Sequence, residues 1–293
     1  MKISEEKKGE IYILVGAIFW GIFPVITILS LNYLSPVASL AWSALFSTVS
    51  FAIILAVRKR WQEIKNVSAL KDILWLTLFN SLIYYILFFL GLKYTSAGNA
   101  SILALSEVLF AFLFFNIYHK EYLSKEHIIG AILMLGGAGI VLYPNFTDFK
   151  IGDILITLAV AAAPIGNYFQ RRARKRVSSE TILFLRNLFA LPFLFIFASL
   201  LTSKPLTDGL QESVFFVLIN GVVLLGLIKI LWVEAIHRIS VTKANALSSI
   251  NPLFTLVFAW IILGDLPTVW QLSSIVPMIA GVILLGMNKQ TNW

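Results

Sequence analysis

The sequence predicts an all-α polytopic membrane protein with ten transmembrane helices, arranged as two inverted five-helix repeats. Three observations carry this: apolar runs of spanning length, basic residues on alternate turns, and a match between the two halves. Of the 293 residues, 59% are apolar and 13% are charged, against roughly 25% charged in a soluble domain. Runs of about 20 apolar residues can each cross a hydrocarbon core about 30 Å thick. Helices also satisfy their own backbone groups where water is absent. A net charge of +8 in a soluble chain would suggest a nucleic-acid partner. Here the basic residues sit in short turns between apolar runs, so orientation in the bilayer accounts for them and no nucleic acid is expected. There is no cysteine, which excludes disulfides and thiolate metal sites.

The expected spans are 11–31, 36–57, 72–92, 97–118, 127–143, 152–170, 180–201, 213–236, 241–263 and 268–287. The charged stretch 1–10 precedes an apolar run too long for a signal-peptide core, so the first span is read as permanent. Ser35-Pro36, Tyr143-Pro144-Asn145, Lys204-Pro205 and Gly264-Asp265-Leu266-Pro267 read as turns. Ser178-Ser179-Glu180 reads as a helix start. Basic residues in short turns face the cytoplasm. The N-terminal tail, the turns after spans 2, 4, 6 and 8, and the C-terminal tail hold 18 lysines and arginines; the other turns hold 3, Lys93, Lys150 and Lys204. That split places both termini in the cytoplasm of a bacterial or archaeal cell, with the chain in the inner membrane, and requires an even number of spans.

The halves, 1–145 and 146–293, resemble each other. Shifting residues 91–142 by 144 lays them on 235–286 without a gap, with nine of 52 positions identical. Two apolar helices match nearly that well by chance, so the polar positions matter more: Glu107 falls on Asn251 and Glu121 on Asp265. An offset of 143 aligns the earlier parts, Gly9-Glu10 with Gly152-Asp153 and Ser35 with Ser178. Five helices per repeat is an odd number, so the second copy sits upside down, an arrangement that places binding sites near the midplane between halves.

These features resemble the drug/metabolite transporter superfamily, of the EamA type, over nearly the whole chain. The resemblance rests on the doubled five-helix unit, on Ser106-Glu107-Val108-Leu109-Phe110-Ala111 running to Glu121, and on its second copy, Asn251-Pro252-Leu253-Phe254-Thr255 running to Asp265. The Gly130 to Gly137 spacing and Gly166-Asn167 before Arg171-Arg172 also fit. Val108 stands where a proline is common, so the sequence does not itself mark a break in the fourth helix. The resemblance implies a central cavity between the halves, alternating access, and substrates such as amino acids or other small metabolites.

Ionisable residues at membrane depth are functional candidates by default. Glu107 lies ten residues into the fourth span, about 15 Å deep at 1.5 Å per residue. Its expected face is Ala100, Ala104, Glu107 and Ala111, and the counterpart face is Ala244, Ser248, Asn251 and Thr255. Small faces also serve close helix packing, but packing does not require a carboxylate at the midplane. Glu107 is the candidate for binding and for proton coupling, and Ser248, Asn251 and Thr255 of the counterpart face are candidates for binding. Lys229 is a candidate for the cavity or for a pair with Glu107. For Arg186 a site role and snorkelling to the headgroups are equally open. Trp20, Asn80, Tyr84, Tyr85 and Asn167 are further candidate lining groups, each weak alone because aromatics and amides also pack. Helices five and ten, with Gly130, Gly136, Gly137 and Gly139 and with Ser274, Gly281 and Gly286, are read as scaffold.

The leading expectation is a secondary transporter, an exporter of small amphipathic metabolites, acting as a monomer or weak homodimer in the lipid bilayer, with no cofactor and no metal. No Walker A sequence is present, which argues against ATP hydrolysis in this chain. Proton coupling and facilitated passage both stay open. The alternatives are a membrane-embedded enzyme and a channel or scaffold. The enzyme is disfavoured because His119, His127 and His237 lie at span ends and no His-Glu-x-x-His motif occurs.

Overall fold

A computed structural model describes residues 4–119, 125–143, 150–202 and 204–286. Lys120, Glu121, Pro144-Asn145, Lys2 and Lys289 of the sequence reading lie outside these. Ten helical segments follow in order: α1 Glu5–Leu31, α2 Pro36–Val57, α3 Val67–Leu92, α4 in two pieces, Ala97–Ala104 and Glu107–His119, and α5 Lys125–Leu142. The second half has α6 Ile151–Arg174, α7 Ser179–Leu201, α8 Leu210–Arg238, α9 in two pieces, Val241–Ser248 and Asn251–Leu263, and α10 Val269–Gly286. No strand occurs among the described residues.

The helix starts are written locally. Ser178 caps α7 by accepting from the Thr181 N–H, and Ser96 caps α4 by accepting from the Asn99 N–H. Pro36 opens α2, where a missing N–H costs nothing. Gly264, at φ 76°, ends α9 in the left-handed region. Several helices outrun their apolar windows: α1 begins at Glu5, α3 at Val67 and α6 ends at Arg174. Charged residues continue a helix into the headgroup layer, which hydropathy does not register.

The main departures from the expected spans are interruptions. α4 breaks at Leu105 and Ser106, where Leu105 N–H bonds to Ile102 O at 3.0 Å and Ser106 N–H to Leu103 O at 2.9 Å. These are bonds of a tight turn, and Val108 N–H completes it on Leu105 O at 3.1 Å. α9 breaks at the matching place, before Asn251-Pro252. The first copy therefore makes its break without a proline. α3 and α8 each carry a π-helical stretch, Thr77–Tyr84 and Ile219–Leu227, and the offset of 143 carries the first onto the second. Such stretches are frequent at functional sites.

The packing follows the repeat. α2 lies along α7 and α5 along α10, each helix against its own counterpart. α3 lies along α6 as α1 lies along α8; α4 meets α6 as α9 meets α1. This reciprocity is that of two copies related by a two-fold axis, and five helices per copy, an odd number, turn the second upside down. α5 and α10 meet closely, with Gly281 against the Gly130 backbone. Apolar side chains such as Ile132, Leu135, Leu200 and Phe215 face outward, where a bilayer would cover them.

The two ends differ. At the end carrying the basic turns, Arg58 pairs with Glu180, Arg172 and Arg176 with Asp72, and Arg174 and Arg238 with Glu234. Arg238 also reaches Glu5, and Lys243 reaches Glu6 and Glu10. In the connection between α2 and α3, burial acts to raise the Glu63 carboxyl, but hydrogen bonds from Ser178 and Thr181 outweigh it and hold the group below the usual carboxylate range. At the weakly charged end the backbones themselves meet. A Cβ on Gly152 would stand 2.6 Å from Gly91 O, so α3 and α6 touch only because that side chain is absent. Thr95 donates to Asp153 at 2.5 Å, and Gln271 of α10 donates to Asn99 of α4 at 2.7 Å.

Candidate functional site

The helices around the centre leave a cavity with an empty volume of about 1080 Å³, part of it open to the outside. α1, α3, α4, α6, α8 and α9 line it, and α2, α5, α7 and α10 contribute none of its described wall. On the wall stand Trp20 of α1; Asn80, Tyr84 and Tyr85 of α3; and Glu107 of α4. Asn167 of α6, Lys229 of α8, and Ser248, Asn251 and Thr255 of α9 complete the set. The fold thus gathers ten of the eleven candidates on one surface. The eleventh, Arg186, is not on that wall.

Asn167 is the hub. Its Nδ2 donates to Glu107 Oε1 at 2.8 Å, and its Oδ1 accepts from Asn80 Nδ2 at 3.2 Å and Trp232 Nε1 at 3.4 Å. Four helices are joined through one amide. Gly166 makes this possible, since a Cβ there would overlap Asn80 Oδ1. The Gly166-Asn167 pair is therefore a packing requirement coupled to a polar one. Asn80 lies within the π-helical stretch of α3, which alters the residues per turn and hence the face that the amide presents.

Lys229 has an aromatic surround. Its Nζ lies 4.7 Å from the centre of the Trp20 ring, 5.6 Å from Trp232 and 6.0 Å from Tyr85. Trp20 stacks on Phe23 at 4.7 Å, and Tyr84 on Phe88 at 5.5 Å. Lys229 and Glu107 stand on the same cavity wall. Each ring contact is worth about 0.5–2 kcal/mol, and a buried charge costs several kcal/mol. The rings offset part of that cost.

Arg186 does not snorkel. It is 1% exposed, and its guanidinium lies 5.8 Å from the Tyr85 ring centre. Its Nε donates to Asn187 Oδ1 at 3.4 Å, while Nη1 has no hydrogen-bond partner. The Tyr85 hydroxyl and Asn251 Oδ1 are also buried with no partner within 3.5 Å, the hydroxyl facing Lys229 and Arg186 at longer range. Seven residues into α7, the Arg186 side chain is enclosed by neighbouring helices before it can reach the headgroups.

The expected small face of α4 is corrected too. Ala104 and Glu107 line the cavity, but Ala100 and Ala111 are fully buried against neighbours. Ser101, Leu105 and Val108 stand on the wall with Ala104 instead, a face at ordinary helical spacing turned about one residue from the expected one. On α9, Ala244 packs among Ile13 and Ile239. The sequence reading also passed over Tyr12, Phe23, Phe88 and Trp232, which line the cavity. A helical-face count would have found three of them: Phe23 follows Trp20 by three, Phe88 follows Tyr84 by four, and Trp232 follows Lys229 by three.

A ten-helix inverted-repeat membrane protein with a polar and aromatic cavity between its halves belongs to the membrane transporters. A sequence model of the EamA-like transporter family matches residues 7–143 and again 150–287. The chain belongs to that family, and carries its domain twice. Among similar proteins is an uncharacterized transporter of Archaeoglobus fulgidus, 23% identical over 292 residues, covering 96% of this chain and 97% of the relative. Another, from Methanothermobacter thermautotrophicus, is 28% identical over 301 residues, covering 96% and 86%. The uncharacterized inner membrane transporter YhbE of Escherichia coli (strain K12) is 23% identical over 260 residues, covering 86% and 80%. A crystal structure with 15% identity matches the fold with a TM-score of 0.72 over 96% of this chain and 97% of that one.

Proposed function

We propose that the chain is a secondary carrier that exports small amphipathic metabolites, such as amino acids or related solutes, across an inner membrane. The observation that carries this is the meeting of candidate groups from both repeats around one midplane cavity, with Asn167 tying Glu107 to α3 and α8. The halves 1–145 and 146–293 rock about the cavity and expose it to each side in turn. If the carrier is driven by protons, Glu107 is the group that exchanges them, being the acid on the wall. Both termini lie in the cytoplasm, by the distribution of basic turns.

A metabolite screen in proteoliposomes tests the function. A carrier gives saturable counterflow of an unchanged solute; a channel gives flux without counterflow, and an enzyme returns a modified solute. Orientation is tested separately in intact cells. Single cysteines at Lys150 or Lys204 should react with an impermeant maleimide, and one at Lys175 should not. Labelling of Lys175→Cys from outside would reverse the topology.

A further inference from the structure

We infer that the solute held in this cavity carries a net negative charge, a carboxylate on an aromatic or apolar body, with its charged end between Lys229 and the Tyr85 hydroxyl. The inference rests on the carrier reading and narrows its substrates from amphipathic metabolites in general, zwitterionic amino acids included, to anionic ones.

Charge is the first ground. Of the 23 lysines and arginines, all but Arg186 and Lys229 lie in turns, tails or helix ends. Among the described residues Glu107 is the acid at their depth. Asp72, Glu180 and Glu234 turn inward at the basic end and are held by arginines there, and Asp153, buried at the opposite end, accepts from Thr95. With Glu107 ionised the core has an excess of one positive charge; with Glu107 protonated the excess is two. Arg186 is fully buried and Lys229 half-buried at the cavity wall, so excess charge there is poorly hydrated and costly. An arriving anion removes that cost, a zwitterion leaves it, and a cation increases it.

Geometry is the second ground. Lys229 Nζ and the Arg186 guanidinium approach one ring, Tyr85, to 6.0 Å and 5.8 Å. The hydroxyl of that ring and Arg186 Nη1 have no partner within 3.5 Å; at longer range the hydroxyl oxygen faces both cations as their acceptor, which leaves its proton to donate. Donors without acceptors, set beside two cations, match an anionic oxygen pair. The walls fit the remainder of such a solute. The Trp20 and Phe23 stack, the Tyr84 and Phe88 stack and Trp232 offer flat apolar faces next to the cation.

The test uses three probes with one ring and different charge: 3-phenylpropionate, phenylalanine and 2-phenylethylamine. Binding to the purified full-length protein is read by fluorescence, since Trp20 and Trp232 adjoin Lys229. The acid should bind about tenfold more tightly than the other two, and Lys229→Met should weaken the acid about tenfold or more while leaving the amine unchanged. Arg186→Met should give a smaller loss for the acid alone. Monodisperse elution and an unshifted or raised Tm establish folding, which Lys229→Met favours by removing a poorly hydrated cation. Equal affinity for all three probes, preference for the amine, an acid affinity indifferent to Lys229→Met, or no binding of the acid by the folded protein would each overturn the inference. Counterflow separates the two readings. An acid bound through Lys229 yet never exchanged would keep the anion site and refute the carrier. Exchange of phenylalanine or the amine, unaffected by Lys229→Met, would keep the carrier and refute the anion site.

Discussion

The two ends of this molecule are held together by different chemistry. At the weakly charged end, α3 and α6 touch backbone to backbone through Gly91 and Gly152, and α4 is bonded to α10 through Gln271. At the basic end the same layers are joined by ion pairs centred on Asp72, Glu180 and Glu234. Close packing resists any separation, because dispersion contacts are lost within an ångström. The acids of these pairs are 3–17% exposed and their arginines 19–55% exposed, so the pairs are open to water on the arginine side and partly screened by salt. The difference teaches that a nearly symmetric fold is closed asymmetrically, with the closure more open to water at the end where charge fixes orientation.

Substitutions can break or sharpen that comparison. The largest effect is expected at the packed end. Gly152→Val sets a side chain against Gly91 O and the backbone of Tyr94 and Thr95, and should cost about 1–3 kcal/mol, seen as a lower Tm in detergent that added salt does not restore. At the basic end Glu234→Gln removes the carboxylate shared by Arg174 and Arg238, whose side chains are 21% and 19% exposed. Its cost should lie near 1–2 kcal/mol, between surface and buried ion pairs, and the difference from wild type should narrow in high salt. The smallest effect is expected for Glu63→Gln, below about 1 kcal/mol. Because the folded carboxyl is held below its ordinary value, its contribution is present above the unfolded pKa and is lost as pH falls through the folded one. Melting curves from pH 7 down to pH 3 should show the gap from wild type closing. A gap that widened on acidification would contradict the hydrogen bonds from Ser178 and Thr181.

Much of this was legible in the sequence because it depends on local chemistry. Hydropathy, turn residues and alternating charge placed the ten helices, and depth alone marked Glu107 and Lys229. Other features depend on distant partners. Glu107 and Asn167 are each visible, but their bond spans 60 residues and arises only once α4 and α6 pack. The α4 break has no proline to announce it and is set by a turn at Leu105 and Ser106. The wall uses Ser101, Ala104, Leu105 and Val108, a face turned about one residue from the one phased on Glu107, so the count misplaced Ala100 and Ala111. Arg186 is long enough to snorkel from its depth, and only the helices around it decide that it does not. The π-helical stretches of α3 and α8 leave no residue signature, since they are a compromise between two helices' packing.

The most direct measurement of the central cavity uses the absence of native cysteine. Single cysteines at Ile228, Ser248 and Asn251, and at Ala244, Ala100 and Ala111, are treated with a small water-soluble methanethiosulfonate in proteoliposomes permeable to it. The three cavity positions should react rapidly, and the three alanine positions should react at least about tenfold more slowly, being packed against neighbouring helices. Equal reactivity at Ala100, Asn251 and Ala111 would contradict a cavity bounded by broken α4 and α9, and with it the site placed between the two repeats.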